Sequence, residues 1–181
     1  MLEYMILIGV VLIGGTAMNA IGVNAAWLVL PILICTIPSV YAFISGAPYL
    51  PTDISTLLKM LKLAQIRPGE KVCDLGCGDG RLLRAAADLG AQTEGFELSI
   101  FLFLLARLHG NGNIHYKNFW NADVSYADVI FIYQQPRAMN RIEKHIWPNL
   151  KSGCRVIVNT FPFPNLEPAL TDGHVYRYEK S

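Results

Sequence analysis

The stretch "EKVCDLGCGDGR", residues 70–81, decides how this chain folds. Its first half, with Val72, Cys73 and Leu75, reads as a short buried strand. It runs straight into Gly76, Gly78 and Gly80, spaced G-x-G-x-G, and then into "RLLRAAADLG" (81–90), a run of helix formers closed by Gly90. A strand, a glycine turn and a helix in direct succession open a β-α-β unit. Working outward, the alternation continues. "QTEGFEL" (92–98), "IHYKNF" (114–119), "ADVIFIY" (127–133), "CRVIVNTF" (154–161) and "HVYRYE" (174–179) read as strands. "SIFLFLLARLHG" (99–110) and "AMNRIEKHIWPNL" (138–150) read as helices. Upstream, "DISTLLKMLKLAQI" (53–66) places Ile54, Leu57, Leu58 and Leu61 at helical spacing, and "RPG" (67–69) ends it. The pattern predicts an α/β fold, Rossmann-like, with a mostly parallel sheet and helices on both faces. Ligands of such sheets lie at the carboxyl ends of the strands, where strand order reverses.

The residues at that turn narrow the ligand. Glycines there let a ligand lie against bare backbone. Glu97 closes the second strand, 23 residues after Asp74, about where a carboxylate meets a ribose diol. A dinucleotide site has G-x-G-x-x-G beside a pyrophosphate. Here the third glycine comes one residue early, and Asp74 and Asp79 bracket the loop and repel phosphate. A phosphate loop has Lys and then Ser or Thr after the glycines; Arg81 and Leu82 stand there instead. Two carboxylates suit a nucleoside with a cationic amino group and a sulfonium, which is S-adenosylmethionine. The plainer reading is a glycine turn that binds nothing. In "YKNFW" (116–120), Asn118 is placed to bond an adenine edge and Phe119 to pack on its face, although Asn118 reads equally well as a turn residue.

With these residues in view, the chain resembles class I S-adenosylmethionine-dependent methyltransferases. More narrowly it is similar to archaeal-type protein-lysine methyltransferases, whose mitochondrial relatives modify membrane proteins such as the adenine nucleotide carrier and the ATP synthase c-subunit. The resemblance spans Pro48 to about Pro168 and rests on "PYLPT", "DLGCGDGR", "GFEL", "KNFW" and "LKSGCRVIVNTFPF". It implies that Asp74 and the loop Gly76, Cys77, Gly78, Asp79 and Gly80 hold the methionine part of the cofactor. It implies Glu97 at the ribose, Asn118 and Phe119 at the adenine, and Thr52 in a segment folding over the cofactor. One departure is specific to this chain. "FIYQQPRAM" (131–139) carries Gln134 and Gln135 where the family is apolar. Methyl transfer to an amine needs positioning and exclusion of water more than a strong base. Tyr133 and the Gln134 side-chain carbonyl are therefore expected to orient the amine, with Tyr49, Pro51 and Thr52 forming the opposite wall. Tyr133 reads equally as a core residue. His109, His115, His145 and His174 are assigned no catalytic role, and Trp120 and Trp147 read as packing residues.

The composition is 52% hydrophobic and 16% charged, too apolar for an ordinary soluble domain. The excess lies in 49 residues, Tyr4 to Thr52, without one Asp, Glu, Lys, Arg or His. Two pieces, 4–20 and 25–45, flank a turn-like stretch with Asn19, Gly22 and Asn24. The second has 21 residues, enough to cross about 30 Å of hydrocarbon, and the first, with 17, is marginal. A transmembrane helical hairpin is expected; one span with an interfacial segment is the alternative. The boundaries follow as 1–46 for a membrane anchor and 47–181 for the methyltransferase domain, with the bilayer met by residues 4–45. Lys59 and Lys62 just beyond place that domain on the cytoplasmic side. A net charge of +1 and no basic patch interleaved with aromatics argue against a nucleic-acid partner. Cys35, Cys73, Cys77 and Cys154 show no C-x-x-C spacing, so no zinc site is expected. The favoured acceptor is a lysine of a membrane-associated protein. A membrane-partitioned small molecule or lipid is the alternative acceptor, and a non-catalytic cofactor-binding scaffold the alternative outside enzymology.

Overall fold

The computed structural model describes residues 50–110 and 112–181. The expected anchor and Tyr49 lie outside the described residues. Within these, no helix is long and apolar enough to cross a membrane.

In chain order the elements are α1 (Ile54–Ala64), β1 (Lys71–Leu75), α2 (Arg81–Asp88), β2 (Gln92–Glu97), α3 (Ile100–His109) and β3 (Asn113–Tyr116). They continue with a 3₁₀ turn (Phe119–Asn121), β4 (Val129–Ile132), α4 (Pro136–His145), a second 3₁₀ turn (Trp147–Asn149), β5 (Arg155–Asn159), β6 (Leu170–Asp172) and β7 (Val175–Glu179). They build one seven-stranded sheet in the order β3-β2-β1-β4-β5-β7-β6. β1 to β5 run parallel, and β7 runs antiparallel between β5 and β6. Strand order reverses between β1 and β4, which pair Leu75 with Ile132 at their carboxyl ends. That is where the glycine turn leaves the sheet.

The period of two along the strands sorts the core into two layers. Val72, Val129, Phe131, Ile157 and Val175 face α1, α2 and α3, and are buried with Met60, Leu83 and Ala106. Cys73, Leu75, Ile130, Ile132, Val156 and Val158 face α4, through Met139 and Ile142. Helices thus cover both faces, three on one and one on the other. The β3–β4 and β5–β6 connections contain no α-helix. They cover the second face with irregular backbone carrying Phe119, Trp120, Tyr126, Phe163 and Leu166. Phe163, Tyr178 and Trp147 pack edge-on there, with centroids 4.8–6.4 Å apart.

α1 is capped locally at its start and by long-range partners at its end. Asp53 accepts the Thr56 N–H at 3.1 Å, an N-cap bond. At the other end, Arg155 of β5 donates to Gln65 O at 2.8 Å and Arg177 of β7 to Leu63 O at 3.0 Å. Two buried guanidinium groups thereby satisfy carbonyls that a helix end leaves orphaned. Arg155 is in turn neutralised by Glu70 at 2.5 Å. α1 is therefore fixed to the sheet, and Thr52, just before it, is fixed with it. β6 was not foreseen: three partly exposed residues at a sheet edge are too few to show an alternating pattern.

Candidate active site

The glycine turn is held by backbone bonds to the neighbouring strand. Gly76 N and Cys77 N both donate to Phe96 O at 3.0 Å. Gly76, Gly78 and Gly80 have φ of +87°, +56° and +77°, a region that excludes most side chains. Gly76 has a second constraint: a Cβ there would lie 2.5 Å from Nε2 of Gln134. The Glu97 carboxylate closes over the turn, accepting N–H bonds from Gly78 (2.9 Å), Leu98 (2.8 Å) and Ser99 (2.7 Å). A carboxylate has about four acceptor sites, so one stays open to a ligand.

Three carboxylates meet at this turn, and among the described residues only one has a cation. Asp79 is gripped by the Arg81 guanidinium at 2.8–3.2 Å, which holds its carboxyl below the usual range against the opposing effect of burial. Asp74 makes no ion pair among the described residues. Burial, then the charges of Glu97 and Asp79, push its carboxyl up to about 8. Burial also raises Glu97, partly offset by its three backbone N–H bonds. A buried acid without a counter-charge is what a cationic ligand group needs.

Opposite the turn stands Gln134, 6% exposed at the end of β4. Its Nε2 donates to Leu75 O at 2.8 Å. Leu75 O can only accept, so the amide orientation is fixed and Oε1 points the other way. That oxygen is buried and has no hydrogen-bond partner among the described residues. Tyr133 precedes it, half-buried. Thr52 is buried and its carbonyl accepts Arg81 Nη1 at 2.8 Å, while Pro51 is exposed. Asn118 Oδ1 accepts Trp120 N at 3.1 Å, so this side chain shapes its own turn. Phe119 packs against Trp120 at 4.7 Å.

The carboxyl ends of β1, β2 and β4 thus bring Asp74, the glycines, Glu97 and Gln134 together. Arg81 was missed in the sequence. It bridges Asp79 to Thr52, a partner 29 residues upstream that local pattern does not reveal. Arg84 adds a bond to Asp79 O at 2.6 Å.

The ANTKMT methyltransferase domain family matches residues 74–170, from Asp74 through all of these groups except Thr52 and Pro51. The chain belongs to this family. It is 31% identical to an ATP synthase C-subunit lysine N-methyltransferase from Rattus norvegicus, over 74% of this chain and 67% of that protein. It is 29% identical to a protein-lysine N-methyltransferase of Saccharolobus islandicus, over 70% of this chain and 84% of that one. The chain spans only 62% of the human counterpart of the rat protein. Among solved structures, an RNA methyltransferase from Salinibacter ruber in complex with S-adenosyl-L-homocysteine superimposes with a TM-score of 0.69. It is 26% identical and covers 72% of this chain and 94% of its own. A member of the ANTKMT family is a class I methyltransferase, and its cofactor is S-adenosylmethionine. The donor set here fits that group: an unmatched buried acid, bare glycine backbone and an open carboxylate site.

Proposed function

We propose that this chain is a membrane-anchored methyltransferase acting on lysine side chains of proteins at the bilayer surface. The observation that carries the acceptor is Gln134 Oε1, a buried oxygen held beside the glycine turn with its hydrogen-bonding capacity unmet. An amine N–H is the donor it lacks. The relatives named for protein-lysine methylation support the same acceptor.

When bound, the cofactor supplies a methyl group on a positively charged sulfur. Asp74 would hold its ammonium group, the Gly76–Gly80 backbone its amino-acid portion and Glu97 its ribose hydroxyls. Asn118 and Phe119 border the adenine. Gln134 would accept one N–H of the substrate amine and so fix the orientation of its nitrogen. Tyr133, Thr52, Pro51 and Tyr49 wall off water. A lysine ammonium ordinarily loses its proton near pH 10.4, and burial beside a cation lowers that value. The proton leaves to solvent before attack, so no strong base is required.

Membrane attachment is supported by the charge-free run from Tyr4 to Thr52. It ends on the residue whose carbonyl Arg81 ties to the glycine turn. The test is to incubate the full chain with methyl-labelled cofactor and membranes, then hydrolyse the labelled material. Methyl-lysine in membrane protein is expected. Label confined to lipid or to RNA would sink the lysine reading while leaving the methyltransferase intact.

A further inference from the structure

The described surface is divided by polarity. Ten large apolar side chains stand exposed among the described residues, and none of them lies on α4. The outer side of α4 is polar, with Arg137, Asn140, Arg141, Lys144 and His145 exposed. The opposite face of the sheet is different. On α1, Ile54 (77% exposed) and Leu58 (59%) stand one turn apart. On α3, Phe101 (65%), Leu104 (52%) and Leu108 (82%) form a stripe at positions i, i+3 and i+7. Both helices cover the same layer of the core, α1 over β5 and β7 and α3 over β2 and β3, with α2 between them. A surface of this kind marks a contact.

The occupant follows from where the chain leads. The charge-free run enters the described residues at Leu50, itself exposed, four residues before Ile54. A segment suited to hydrocarbon is thus continuous in sequence with the apolar face. Exposed Arg107 and Lys62, the latter shared with Asp172 at 3.4 Å, flank the stripes, while Asp53 and Asp88 are the acids beside them, so the apolar side chains rather than net charge carry the contact. We propose that the α1–α3 face rests on a lipid bilayer, with the α3 stripe at the boundary between headgroups and acyl chains. This rests on the anchored reading above and goes beyond it. α1 and α3 both begin at the carboxyl edge of the sheet, where the site lies. With both helices flat on the membrane, the site opens along the bilayer surface. The acceptor class narrows accordingly: lysines held at headgroup depth, rather than lysines in long tails reaching into water.

The test uses the full chain reconstituted in vesicles of phosphatidylcholine and phosphatidylglycerol. Cys35→Ser removes the one cysteine outside the described residues; Cys73, Cys77 and Cys154 are buried. A nitroxide is attached through Leu104→Cys, or through Asn140→Cys on α4, and its collisions with oxygen and with a water-soluble nickel complex are compared. Oxygen dominating at 104 and nickel at 140 is the expected result. Nickel dominating at 104 in chains that stay with the vesicles after an alkaline wash overturns the proposal and leaves the anchor standing. Protection at 104 from both reagents overturns it too, because protein then covers the stripe. Chains that wash off the vesicles refute the anchor and the proposal together. A paired Leu104→Glu, Leu108→Glu variant supplies a catalytic readout. We expect about a tenfold loss of rate on a bilayer-embedded acceptor and an unchanged rate on the same acceptor in detergent. Equal rates in vesicles would overturn the proposal.

Discussion

At the scale of single residues, burial and the neighbouring charges of Glu97 and Asp79 lift the Asp74 carboxyl to about 8 from an ordinary 3.8. The folded chain therefore keeps a proton that the unfolded chain releases above about pH 4. The cofactor-free protein has the full benefit of that proton below pH 3.8 and loses it progressively as pH rises through about 8. Asp74→Asn removes this slope. It should raise the melting temperature of the cofactor-free protein, by more at pH 8 than at pH 5, and weaken cofactor binding about a hundredfold or more. Melting curves at both pH values with calorimetric titration check this; a variant that binds normally would remove Asp74 from the site. Gln134 separates binding from chemistry. Gln134→Met deletes the unmet acceptor, so the rate at saturating cofactor should fall about tenfold or more, the worth of one hydrogen bond in the transition state. The cofactor dissociation constant should stay within about threefold, since Gln134 is not assigned to the cofactor. A change confined to that constant would show that Gln134 serves the cofactor instead.

At the scale of elements, β5 ends in strain. Thr160 has φ +68°, although β-branched residues avoid that region. It is held there by its N–H donating to His174 O at 2.8 Å and its hydroxyl donating to Asn159 Oδ1 at 2.9 Å. Asn159 is buried one strand away from Gln134. Thr160→Gly keeps the backbone bond and releases the strain. Part of that gain is lost to the greater freedom of glycine when unfolded. A net gain of about 1 kcal/mol is expected, or about 2–4 °C in melting temperature, with reduced turnover as Asn159 loosens. Differential scanning calorimetry beside steady-state kinetics decides it; unchanged turnover would make the strain incidental to catalysis. What the sequence showed and hid follows the same logic of range. β1, the glycine turn and α2 were legible because strand, turn and helix signals sit side by side within residues 70–90. The parallel sheet was legible from alternation. The arginines that cap α1 were not, because Arg155 and Arg177 meet carbonyls 90 and 114 residues away. Asn118 was legible only as two alternatives. Its bond to Trp120 N shows the turn role without removing the other, since its amide N–H₂ takes no part in that bond. Gln134 was read as an orienting carbonyl from position alone; the bond to Leu75 O that aims it needs three-dimensional register.

At the scale of the molecule, the proposed anchor acts through concentration rather than contact. Thr52 is tied to Arg81, and α1 is pinned to the sheet at its far end, so an anchor preceding Leu50, as proposed, would join the site through a segment that is itself fixed. A short tether turns encounter with a membrane-bound lysine into a reaction within one small volume, raising the effective concentration to the millimolar range. Removing residues 1–44 should therefore leave the chemistry untouched and change only the encounter. The shortened chain should methylate a detergent-solubilised acceptor at the full-length rate and the same acceptor in vesicles about a hundredfold more slowly. Circular dichroism confirms that the remaining core is folded, which separates lost tethering from lost structure. Raising the salt concentration sorts the residual activity. Exposed Arg107, and Lys62 shared with Asp172, give a screened attraction to anionic lipid, so high salt should lower the vesicle activity of the shortened chain, leaving what the apolar face supports, while the full chain is little affected. Equal rates for the two chains in vesicles would place the acceptor away from the membrane and make the apolar run irrelevant to substrate choice.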